Sequence, residues 1–147
     1  MFRFVTLTSL LFFISLTFSQ KSSVVGHWKT IDDKTGKPLS IIKIYEKDNI
    51  FYGKVVEILD TKGKNRVCEN CPGEDKGKPF LGLVVMSGLK KHGNEYSGGK
   101  ILDPLSGEFY KCYITLENQD KLKVRGYVGF AIFGRTRFWY RADDLKL

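Results

Sequence analysis

Residues 80–141 read FLGLVVMSGLKKHGNEYSGGKILDPLSGEFYKCYITLENQDKLKVRGYVGFAIFGRTRFWYR. Apolar and polar residues alternate in short runs, and each run ends in a turn rich in Gly, Asn or Asp. This is the pattern of antiparallel strands joined by hairpins. Strands are expected in the middle of Phe80–Leu89, where Gly82 and Gly88 favour a bulge or short turn, and over Glu95–Leu102, Glu108–Glu117, Lys121–Val128 and Gly134–Arg141, with turns at Lys90–Asn94, Asp103–Gly107 and Asn118–Asp120. In the turn Asp103-Pro104-Leu105-Ser106-Gly107, Pro fixes φ, Asp bonds the backbone and Gly accepts positive φ. That assigns Asp103 to capping the turn rather than to acid catalysis.

Working outward to the N-terminal side, Val24–Ile31 forms a first strand, with Val24, Gly26, Trp28 and Thr30 on one face and His27 on the other. Ser40–Glu46 and Ile50–Leu59 follow as hairpin neighbours. The count reaches about eight strands and no convincing helix. The fold class is therefore all-β, an antiparallel up-and-down meander of the size that closes into a barrel with a small interior.

The chain begins with Arg3, an uncharged apolar run from Phe4 to Phe18 and the small-residue pattern Thr17-Phe18-Ser19, which reads as a signal peptide over residues 1–19. About 15 apolar residues fall short of the roughly 20 needed for a membrane-spanning helix. Residues 20–147 then form a single domain, exported to the periplasm or beyond, with no further transmembrane segment. This domain carries 23 basic and 16 acidic residues, a net charge of +7. Export argues against nucleic acid as partner and leaves an anionic envelope surface or an acidic ligand. Scattered lysines also solubilise strand faces and protect edges.

Between the two groups of strands lies residues 60–79, DTKGKNRVCENCPGEDKGKP, as long a structureless connection as a compact domain tolerates. Cys68 and Cys71 form a C-x-x-C within it, while Cys112 shares a core-facing register with Tyr110 and Ile114. In an oxidising compartment the simplest chemistry is a local Cys68–Cys71 disulfide, with Cys112 as a buried small hydrophobe. Thiol-redox catalysis calls for a helix N-terminus beside one Cys, and the Pro-Gly-rich residues after Cys71 do not propagate one. Zinc calls for four ligands, which Cys112 and His27 or His92 would have to complete from distant parts of the fold. A long-range pair with Cys112 stays open. No cofactor is implied.

With Gly26-His27-Trp28 at one end, and with FLGLVVMSGLK, YSGGKILDPLSGEFYKCYITLE, KLKVRGYVG and GRTRFWYR following in order, the chain resembles the DUF2147 family of small exported bacterial proteins over roughly residues 24–141. The resemblance implies a lipocalin-like barrel and no established activity, with the C-x-x-C loop an elaboration of some members. It is similar also to wider lipocalin-type barrels, in which an N-terminal Trp packs beneath an Arg of the last strand. Arg135, Arg137 and Arg141 share a face with Trp139, and any of them could stack on Trp28 in this way.

The expected function is non-catalytic binding of a small apolar or amphipathic, lipid-like ligand. Trp28, Tyr110, Arg125, Tyr127 and Arg137 are the candidate contacts: Tyr110 and Tyr127 as aromatic walls with a polar handle, Arg125 as an anion contact. Lys123, Arg125 and Tyr127 alternate against Leu122 and Val124, so this trio lies either on the inner or on the outer face. Two alternatives stand beside this reading: an envelope interaction protein with a solid core and a basic docking surface, and a thiol-redox or metal protein built on the C-x-x-C loop.

Overall fold

The structure, a computed structural model, describes residues 23–142; the expected signal peptide lies outside the described residues. Eight strands, β1 (Gly26–Ile31), β2 (Pro38–Lys47), β3 (Ile50–Ile58), β4 (Val84–His92), β5 (Glu95–Asp103), β6 (Glu108–Asn118), β7 (Lys121–Tyr127) and β8 (Gly134–Arg141), pair each with the next. Pairing of β8 with β1, through Trp28 opposite Arg141 and Lys29 opposite Tyr140, closes the barrel. Among the described residues, closure leaves no open edge in the eight-stranded sheet for another chain to extend.

Because the strands alternate in direction, every connection falls at one of two ends. The short turns Asp48–Asn49, Gly93–Asn94 and Gln119–Asp120 lie at the end where β1 starts and β8 finishes. Residues 32–37, 59–83, 104–107 and 128–133 lie at the other, which is the mouth. Asp48 and Asn49 both take positive φ, the geometry a two-residue hairpin loop of this type requires.

Strand boundaries fall within one residue of expectation except at β1, β2 and β4; β2 starts at Pro38 rather than Ser40. β1 starts at Gly26 rather than Val24. β4 starts at Val84, in the middle of the expected segment, but runs on to His92, so the turn after it shrinks from five residues to Gly93–Asn94; Lys90 and Lys91 are exposed strand residues, whose charge suggests a turn in the sequence. The long connection is also more ordered than expected. Cys68 N–H donates to Lys78 O (2.8 Å), Gly77 N–H to Cys68 O (2.8 Å) and Phe80 N–H to Arg66 O (3.0 Å), which folds residues 66–80 into a flap with one 3-10 turn at Gly73–Asp75.

The interior is divided in two. Toward the closed end Trp28, Ile44, Leu89, Ile114 and Leu122 are fully buried and fill the barrel, each side chain contributing roughly 1.5–3 kcal/mol by its removal from water. Toward the mouth the inner face of β7 runs Leu122, Val124, Gly126, opposite Trp139, Arg137 and Arg135 of β8. At Gly126 the wall carries no side chain, and a Cβ added there would make only ordinary contacts, 3.4 Å from Ile101 and 3.5 Å from Tyr110. The solid core expected under the interaction-protein alternative is thus present in the closed half only.

Candidate ligand cavity

The open half holds a cavity of two adjoining lobes, about 630 Å³ and about 290 Å³, which share Ile101, Leu102, Asp103, Leu105 and Trp139 as walls. Small-molecule sites commonly measure roughly 300–1,000 Å³. The smaller lobe is bounded by Ile42, Val55, Ile58, Phe80 and Val85, an apolar slot with Thr30, Ser40, Asp60 and Arg66 at its rim. Tyr110, Val124, Gly126, Tyr127, Phe133, Arg135 and Arg137 bound the larger. Alternation along β8 aims both arginines inward, in register with Gly126 and Val124. One lobe therefore suits hydrocarbon and the other an anionic group.

The polar side chains around the larger lobe are held in place. Arg137 forms an ion pair with Asp33 of the β1–β2 loop, fixing the guanidinium at the rim. Tyr110 donates its hydroxyl to Glu108 Oε2 at 2.8 Å; this bond to a carboxylate, more than burial, raises the phenol above its ordinary value and keeps it protonated. Asp103 accepts the Leu105 N–H at 2.9 Å through Oδ1, so its carboxylate is engaged in capping the β5–β6 turn.

Of the five candidate contacts, Tyr110, Tyr127 and Arg137 border the cavity, whereas Trp28 and Arg125 do not. Trp28 lies at the closed end, wholly buried, its indole N–H donating to Val24 O at 2.8 Å. Arg141 is the arginine that covers it, with its guanidinium carbon 4.1 Å from the ring centroid. The same group donates to Gln119 O (2.7 Å), Val25 O (3.1 Å) and Ser23 O (2.9 Å), tying β8 to the segment before β1 and to the β6–β7 turn. Arg125 belongs to the outer face, where Nε donates to Ala131 O (2.7 Å) and Nη1 to Thr136 Oγ1 (2.8 Å). Trp139, Arg135 and Gly126 are cavity residues that the sequence reading did not single out. The alternation of β8 placed Trp139 and Arg135 on one face, and that signal could have found them.

Cys68 and Cys71 form a disulfide, and both are buried. Cys68 Sγ lies 3.3 Å from Pro104 O, and Gly107 abuts Asn70 so closely that a Cβ there would fall 2.0 Å from Asn70 O. The bridge thus seats the flap on the β5–β6 turn beside the cavity. With both sulfurs bonded to each other, neither is a thiolate ligand for zinc in this state. Cys112 is a buried thiol pushed up to about 12 by loss of solvent.

Residues 26–141 match the family model described as an uncharacterized protein conserved in bacteria (DUF2147). The chain belongs to the DUF2147 family. Comparison with curated protein sequences gives no significant match. Among solved structures, the DUF2147 barrel is similar to protein HP1028 from the human pathogen Helicobacter pylori, described as belonging to the lipocalin family: the TM-score is 0.72 at 22% identity, over 83% of this chain and 84% of that one. At that identity the likeness concerns the fold, which is lipocalin-like in both.

Proposed function

We propose that this DUF2147 protein is an exported, non-catalytic carrier of a small amphipathic ligand, a lipid or lipid-like molecule with an anionic head. The observation that carries the reading is the two-lobed cavity. Its apolar slot takes the hydrocarbon part of the ligand, and Arg135 and Arg137 on the inner face of β8 receive the head group. Each methylene transferred from water into the slot contributes about 0.8 kcal/mol. The charge-assisted hydrogen bonds from arginine orient the molecule. Both histidines lie away from the cavity: His27 faces outward at the start of β1, and His92 ends β4 at the closed end. That placement favours binding over acid–base chemistry.

Native mass spectrometry of protein exported by its own host tests the proposal. An excess mass that disappears on denaturation, and is missing from the cavity-filled Gly126→Leu variant, is the expected result. A bare native mass for the wild type, with no uptake of added fatty acid, would sink it.

A further inference from the structure

The β7–β8 loop, residues 128–133, stands at the mouth with its apolar side chains in solvent: Val128 is 65% exposed, Phe130 75%, Ile132 78% and Phe133 67%. Leu105, on the neighbouring turn, is 62% exposed. Four large apolar side chains within six residues would be costly for a free loop, and exposed apolar patches of this kind mark interaction sites.

The backbone of the loop is held in this presentation. Arg125 donates to Ala131 O (2.7 Å) and Ile132 O (3.3 Å), and Phe133 N–H donates to Phe130 O (3.0 Å). A guanidinium engaged with two loop carbonyls fixes the main chain and leaves the apolar side chains pointing outward.

The surroundings indicate the occupant. The loop and the mouth halves of β7 and β8, residues 125–137, hold three Arg and no Asp or Glu. On the adjoining wall Lys111 lies in register with Tyr127, the last strand residue before the loop, Lys100 lies in register with Lys111, and the Lys100 ammonium sits 4.2 Å over the Phe109 ring. Aromatic rings among snorkelling cations suit the headgroup layer of a bilayer. A protein interface needs about 800 Å² of complementary surface per partner. A six-residue tip does not offer that, but it can enter lipid.

We propose that the β7–β8 loop inserts Phe130, Ile132 and Phe133 into the interface of an anionic bilayer, with the cations of the adjoining wall reaching its phosphates. Val128 and Phe133 also line the larger lobe, so insertion brings the cavity entrance to the bilayer surface. The purpose of this docking, loading or release of a ligand, rests on the proposed carrier function. The docking itself does not.

The test is sedimentation of the mature protein with vesicles of phosphatidylcholine alone and of equal parts phosphatidylcholine and phosphatidylglycerol. Expected are preferential binding to the anionic vesicles, weakening with added salt, and a loss of about tenfold or more in the Phe130→Ser/Ile132→Ser double variant. In a Phe130→Trp variant, emission should shift to the blue on adding the anionic vesicles. Both substitutions lie in an exposed loop, so an unchanged melting temperature verifies folding. Three results would overturn the proposal: no binding to anionic vesicles, equal binding by the double variant, or self-association that the double variant abolishes, which would make the loop a protein interface. Fatty-acid binding without vesicles reports separately on the carrier reading, and the double variant should retain it.

Discussion

Replacing Arg141 by Ala should loosen the closed end of the barrel while leaving the cavity intact. The guanidinium covers the buried indole of Trp28 at 4.1 Å and donates to three carbonyls from two separate segments. A partly desolvated cation over an indole contributes about 1–2 kcal/mol. The hydrogen bonds, at a half-exposed site, add roughly 0.5 kcal/mol or more each. A net loss of about 3 kcal/mol follows, or on the order of 10 °C in Tm for a domain of this size. Arg141→Lys should recover only part of it, because one ammonium cannot cover the ring and reach three carbonyls together. Urea unfolding followed by tryptophan emission measures both variants, with ligand binding tested in the native baseline. A loss below about 1 kcal/mol for Arg141→Ala, or full rescue by Lys, would refute the clamp; lost binding in a folded variant would refute the separation of the two ends.

Three further predictions concern the cysteines and one turn. The Cys112 thiol is raised to about 12 in the fold against 9.0 in its absence. The unfolded chain therefore releases this proton first, and stability should fall as pH rises above 9, by about 1.4 kcal/mol at pH 10; the Cys112→Ala variant should lack that component in pH-dependent urea melts. Cys71→Ser should cost about 2 kcal/mol, the loop-entropy value for so short a ring, and its melting curve should otherwise keep the wild-type shape. Asp32 accepts the N–H groups of Lys34 and Thr35, and these bonds lower its pKa. The stabilisation they bring is present above the usual carboxylate value and is lost as pH falls through the lowered one, so Asp32→Asn should flatten the acid limb of the stability profile.

The eight strands were legible because each strand buries one face, so alternation survives in the sequence. Closure into a barrel was read from the count of about eight hairpin-linked strands and its lipocalin-like character from the order of the motifs from Gly26 to Arg141, and the pairing of β1 with β8 agrees with both. What depended on distant register was not legible. Arg135, Arg137 and Arg141 share one parity, and only the alignment of β8 with β1 places Arg141 on Trp28. Parity alone also gave two answers for Arg125, which turned out to be an outer-face residue occupied by the loop beyond it. The bare patch in the wall of the larger lobe at Gly126 has meaning only once Ile101, Tyr110 and Arg135 surround it. The C-x-x-C bridge was readable from spacing and compartment, but its seat against Pro104 and Gly107 was not.

Fluorescence titration with cis-parinaric acid, a fatty acid whose polyene accepts energy from tryptophan, tests the carrier most directly. Trp139 lines both lobes, so a ligand seated there must lie beside its ring. Saturable binding of one fatty acid per barrel with energy transfer from Trp139, weakened about tenfold or more in Gly126→Leu by lost space, is the predicted result. The absence of saturable binding, or equal binding by the cavity-filled variant, would contradict it.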